Sequence, residues 1–137
     1  MKLPRINQIA TFGLLLAFSP LSFAEDEAAQ LALLRKPHAT IVERQDACRK
    51  LALVGTVRSV PTLGSLLGDP ELSHMARYAL EPIPDPMVDT VLRDALGTVK
   101  GRPLLGVIGS IGVRGDAQAV PDLAKLLSNP DPAVAEA

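Results

Sequence analysis

The residues able to do chemistry in this chain are few and widely spaced. His38, Cys48 and His74 are its strong transition-metal side chains. No two of them stand three or four residues apart or in a C-x-x-C pair, the spacings that bring two ligands to one ion. The reading is therefore no metal site and no cofactor. Nucleophilic catalysis needs a serine or cysteine, a histidine and an orienting acid brought together. Cys48 and His74 fall in neighbouring segments, but nothing in their spacing favours such an arrangement, so no catalytic residue is assigned. Asp85, Asp89 and Asp94 fit a solvated helix face and an N-terminal cap better than an acid pair. Gly106, Gly109 and Gly112 recur every three residues, whereas a phosphate-cradling loop needs G-x-G-x-x-G between a strand and a helix. The plainer expectation is that these small residues let a neighbouring helix come close, at roughly 1 kcal/mol of helix propensity per glycine.

Binding chemistry is better represented. His74, Arg77 and Tyr78 are spaced i, i+3 and i+4, which puts them on one face of a helix. Exposed Arg and Tyr together are frequent interface anchors. The competing arrangement packs Tyr78 between units and pairs Arg77 with Glu81, also four residues on. Arg102 and Arg114 flank the helix expected next but one and would extend a basic edge.

The elements that must position these side chains are announced by repetition. Val60-Pro61-Thr62-Leu63-Gly64-Ser65-Leu66-Leu67-Gly68-Asp69-Pro70 returns sixty residues later as Val120-Pro121-Asp122-Leu123-Ala124-Lys125-Leu126-Leu127-Ser128-Asn129-Pro130. A weaker copy, Pro86-Met87-Val88-Asp89-Thr90-Val91-Leu92-Arg93-Asp94, lies between them. Self-similarity on this scale marks a stacked-repeat protein. Helical spacing predicts a short helix over 25–36 stopped by Pro37, and a second over 41–54 with Thr40 as cap and Gly55 as stop. Leu63, Leu66 and Leu67 share one face of the next helix. A helix over 73–80 and its mate over 86–96, closed by Gly97, form the following pair. Arg102-Pro103 opens another, and Asp116 caps the last full helix. Proline spacings of 25 and 35 residues are uneven, so the middle pair is expected to have a tighter inner loop and a longer loop after it. Residues 131–137 read as the start of a further unit.

Composition fits this and excludes several partners. The 137 residues are 47% hydrophobic and 21% charged, with 14 Lys+Arg against 15 Asp+Glu spread along the chain. A nucleic-acid binder would show a clustered cationic face, and with 3% aromatics and no Trp there is little to stack on bases. Lys2 and Arg5, an apolar run from Ile9 to Phe18, and Ser22-Phe23-Ala24 ahead of Glu25-Asp26-Glu27 read as a signal peptide over 1–24, cleaved after Ala24. Its apolar run is short of the ~20 residues needed to span a bilayer. The expectation is an exported, periplasmic or secreted protein with no membrane span after cleavage. Losing the leader moves the formal charge from −1 to −3. Cys48 cannot pair within the chain and is read as a small buried hydrophobe.

The residues Gly55, Val60-Pro61-x-Leu63-x-x-Leu66-Leu67-x-Asp69-Pro70 and Gly115-Asp116-x-x-Ala119-Val120-Pro121-x-Leu123-x-x-Leu126-Leu127-x-Asn129-Pro130 resemble HEAT repeats of the short bacterial, phycobilisome-lyase-like class. Ala47-Cys48-Arg49-Lys50-Leu51-Ala52-Leu53-Val54-Gly55 looks like the inner helix of that unit. The resemblance implies an all-α fold, an α-solenoid (α/α superhelix) of HEAT-like hairpins. Its organisation is a helix and turn over 25–40, then a repeat array over 41–137 with about three hairpins and the start of another. It further implies a protein or peptide partner held in a concave groove lined by the second helix of each pair. The function expected is a protein-interaction scaffold without catalytic activity of its own. The alternatives are an N-terminal repeat domain of a larger exported enzyme or cytochrome, and a bilin-lyase-like protein, which export argues against.

Overall fold

The computed structural model describes residues 20–137, and the expected charged and apolar parts of the leader lie outside them. The described residues form eight α-helices, two short 3-10 turns and no strand. The protein is all-α, as expected.

Helix α1, Pro20–Arg35, is longer than the helix expected over 25–36 because it begins ahead of Glu25. One face of it carries Glu27, Leu31 and Leu34, all buried, at the four- and three-residue steps that align side chains on a helix. Helix α2, Ile41–Val54, starts at a capping box: the Thr40 hydroxyl accepts from the Glu43 N–H while the Glu43 carboxylate accepts from the Thr40 N–H. Each half satisfies a donor the helix itself cannot. Ala47, Cys48 and Leu51 form its fully buried face. Cys48 is a free, buried thiol whose pKa burial pushes up to about 11.

A 3-10 turn at Val57–Ser59 leads into α3, Val60–Gly64, only five residues long. Val60, Leu63 and Leu67 are buried, but Leu66 is half-exposed, because the chain leaves the helix after Gly64 and continues in turns. The expected three-leucine face is thus a two-leucine face. Helix α4, Ser73–Leu80, buries Ala76, Ala79 and Leu80. Asp85 caps α5, Pro86–Thr98, by accepting from the Met87 N–H. Helix α5 runs through Gly97, the residue expected to close it, so only residues 99–101 connect it to the next helix. The extra length of the middle unit went into helix, not into the longer loop that proline spacing suggested.

Gly101 and Gly115, both at positive φ, bracket α6, Arg102–Arg114, and no side chain with a Cβ adopts that backbone cheaply. Asp116 caps the second 3-10 turn, Ala117–Ala119, through the Gln118 N–H, ahead of α7, Val120–Leu126. A short α8, Pro132–Glu136, follows.

The helices touch in a regular alternation. In one row α2 meets α4, α4 meets α6 and α6 meets α8; in the other α3 meets α5 and α5 meets α7. Between the rows α3 packs on α4 and α5 on α6, and α1 packs on α2. The α3–α4 and α5–α6 contacts each join the second helix of one sequence pair to the first helix of the next, and α1 packs in the same way on the first helix of the array. Gly64 faces Val91 across α3 and α5, where an added Cβ would fall 2.6 Å from a valine methyl. The core between the rows is aliphatic: Leu51, Leu63, Leu67, Leu80, Val88, Leu92, Val107 and Ile111 are all within 2% of complete burial. Each such side chain contributes roughly 1.5–3 kcal/mol over its exposed state.

Candidate functional site

Helices α4 and α6 lie side by side in parallel. Arg77 meets Gly106 and Glu81 meets Ser110, both at an offset of 29 residues, and a constant positive offset means that both helices run the same way. Their N-terminal ends therefore open at the same edge of the molecule. Between them is a cleft of about 740 Å³ lined by Ser73, His74, Arg77, Arg102 and Gly106, with Pro70, Pro103 and Leu105 as its apolar walls. Three of the five candidate residues, His74, Arg77 and Arg102, thus come together from positions up to 28 residues apart.

Arg77 is held from behind. Its Nη1 donates to the Gly106 carbonyl at 3.1 Å and to Ser110 Oγ at 3.3 Å, and Ser110 in turn donates to Glu81 at 2.7 Å. The direct Arg77–Glu81 pair expected from the i, i+4 spacing is replaced by this hydroxyl bridge, because Ser110 of α6 stands between them. Burial lowers the pKa of Arg77 from that of a free guanidinium, and the nearby Glu81 charge opposes the shift. The group fits only because residue 106 is glycine: a Cβ there would sit 2.2 Å from the Arg77 Cζ. Gly109 and Gly112 meet nothing within 4 Å, so of the three-residue glycine series only Gly106 admits a neighbour, and that neighbour is a side chain.

Two polar atoms at the cleft have no partner. Ser73 is 3% exposed and its Oγ makes no hydrogen bond, and the buried Arg77 Nε makes none. Buried polar atoms are nearly always satisfied, and leaving one unpaired costs about 1–3 kcal/mol. His74 and Arg102 are exposed, and no hydrogen bond or ion pair engages them among the described residues.

The other two candidates go elsewhere. Tyr78 is 49% exposed and, one turn along α4 from His74, lines a second depression with Leu53, Pro82 and Val113. Arg114 does not extend a basic edge. Its guanidinium turns inward, pairs with Asp89, and donates to the carbonyls of Glu81 and Ile83 at 2.9 Å and of Asp85 at 3.3 Å. Those three carbonyls belong to the loop between α4 and α5, so Arg114 is a clamp that fixes α6 against it. Asp89, expected on a solvated face, is correspondingly part-buried, whereas Asp94 is exposed.

All five candidates sit on α4 or α6, in the row of first helices and not in the row of second helices expected to line a groove. Ser73 and Ser110 were not singled out by sequence, and Gly106 was read only as a small residue that lets a neighbouring helix come close. The available signal was the 29-residue offset itself, which needs the pairing of α4 with α6 to be known. Among the described residues no group of three or more His, Cys, Asp or Glu could hold a metal ion, and no helix is long and apolar enough to cross a membrane. No protein-family model, curated protein or solved structure matches the chain.

Proposed function

We propose that the protein is an exported α-solenoid of HEAT-like hairpins that works as a protein-interaction module with no catalytic activity of its own. It engages a protein or peptide partner along the α4–α6 edge. The alternating helix contacts and the sixty-residue repeat support a stack in which each pair leans on its neighbours. The observation that carries the functional reading is the cleft, where His74, Arg77 and Arg102 converge with a buried hydroxyl that the protein leaves unbonded. Cationic side chains on a rigid helix edge, next to an exposed Tyr78, have the composition of a partner-docking patch.

The test is photo-cross-linking in the intact cell envelope, with the photoreactive side chain placed at position 74 or, as control, at the exposed position 49 on α2. Adducts from position 74 alone, on a chain whose N-terminus is Glu25, are expected. Equal capture from both positions, or none from position 74, removes the reading.

A further inference from the structure

We infer that the cleft between the N-terminal ends of α4 and α6 receives a carboxylate carried on an apolar peptide, an acidic residue of the partner flanked by leucine-like side chains. This names the chemistry of the partner and so rests on the interaction-module reading above.

The donors are arranged for one such group. Arg77 uses Nη1 on Gly106 and Ser110, which leaves its Nε and Nη2 edge without a partner among the described residues. Nε is buried and unsatisfied while the guanidinium rests against Gly106, so a small shift of the side chain would offer the Nε and Nη2 N–H groups to a carboxylate as a fork. The Ser73 hydroxyl, buried and unbonded, lines the same cleft. His74 and Arg102 stand at the rim, and no Asp or Glu lines the cleft to compete for them. Both helices also point the positive ends of their dipoles at this edge. Glu81, the residue that follows α4, is engaged by the Ser110 hydroxyl.

The surroundings select among anions. Pro70, Pro103 and Leu105 give the cleft apolar walls, and one turn along α4 from His74 stands the exposed Tyr78, which lines a separate depression with Leu53, Val113 and Glu81. A residue one turn away on a helix lies about 5–6 Å further along, within reach of the next side chain of a bound peptide. A polyanion is a poor match, since the chain as a whole carries a net negative charge. One carboxylate on an apolar body satisfies both halves of the surface.

The experiment is an amide NMR titration of the folded chain with three probes. These are an N-acetylated, C-amidated tetrapeptide bearing one glutamate and three leucines, its glutamine counterpart, and inorganic phosphate. The glutamate peptide should shift the signals of Ser73 to Arg77 and of Arg102 to Gly106 in a saturable way. The glutamine peptide and the Arg102→Gln variant should each bind about tenfold more weakly, and Ser73→Ala several-fold more weakly. Both variants keep the packing intact, since Arg102 is exposed and alanine fits where serine was. Equal binding of the two peptides, shifts confined to other helices, or phosphate binding as tightly as the glutamate peptide would each overturn the inference. Failure of the two levels is separable. Peptide discrimination without adducts from position 74 sinks the interaction module and keeps the carboxylate site, and adducts without discrimination do the reverse.

Discussion

Two copies of one motif, sixty residues apart, meet different fates in this molecule. Val60, Leu63 and Leu67 are 0%, 0% and 1% exposed; their counterparts Val120 and Leu127 are 60% and 71% exposed, and Leu123 is half-buried. The first copy has α5 packed on one side and α1 nearby on the other, where Arg35 donates to Thr62. The last copy meets α5 on one side and, among the described residues, no further helix of its own row. A leucine's depth is therefore set by what stacks on its helix, not by the motif in which it stands.

The turn before each copy carries the same contrast. Thr56 and Asp116 are equivalent caps, and each receives a charged side chain from the preceding helix of the second row. In the first copy Glu27 of α1 is buried and accepts from the Thr56 N–H at 2.8 Å, the Thr56 hydroxyl at 2.9 Å and the Ser59 hydroxyl at 2.6 Å. In the last copy Asp116 supplies the carboxylate itself, and Arg93 of α5 pairs with it. The charge that each neighbouring helix sends is opposite, matching a neutral cap in one copy and an acidic cap in the other. Complementarity was kept while its parts moved between elements.

Substitutions at equivalent positions would widen or erase this difference. Leu67→Ala should have the largest effect, a loss of about 2–5 kcal/mol in urea unfolding, since it opens a cavity in a closed core. Glu27→Gln should cost about 1–3 kcal/mol, because hydrogen bonds to a buried charged group are replaced by weaker ones and one acceptor becomes a donor. It should also alter the acid limb of stability. Burial raises the Glu27 pKa, but hydrogen bonds from Ser59 and Thr56 and the nearby Arg58 outweigh it and hold the carboxyl below its ordinary 4.5. A group lowered on folding stabilises fully above its unfolded value and loses that contribution as pH falls through the folded one. The wild type should therefore weaken below about pH 4.5 more steeply than Glu27→Gln, and parallel acid limbs would show that the carboxylate is not the anchor. Leu127→Ala, identical in chemistry to the first substitution, should change stability by no more than about 0.5 kcal/mol. A matching loss at both leucines would abolish the distinction between the copies.

Much of the local structure could be read from the residues alone. Thr40 followed by Glu43, proline in the first turn at 61, 86, 103 and 121, and glycine at 115 each act within a few residues, so their roles are decided by the chain near them. The pairings between helices, at the candidate site and away from it, are of another kind. Arg77 with Gly106, Arg114 with Asp89 and Glu27 with Ser59 join residues 25 to 32 apart on different helices. Periodicity tells which face of a helix a residue occupies, but not whether that face is covered. For this reason His74 and Arg102 lie at the surface, while Arg114, identical in type to Arg102, turns inward and is part-buried. The same limit explains Leu66 and Leu126, which lie on the expected faces but are half-exposed because their helices end or thin out there.

Cys48 has a practical consequence. It is the one sulfhydryl in the sequence and sits on α2, against which both α1 and α4 pack. A thiol with a pKa near 11 and no solvent contact is mute toward alkylating reagents until the helices part. The molecule thus carries its own gauge: the rate of alkylation under folding conditions, divided by that of a free thiol, gives the fraction of time this seam stands open, with no label engineered in.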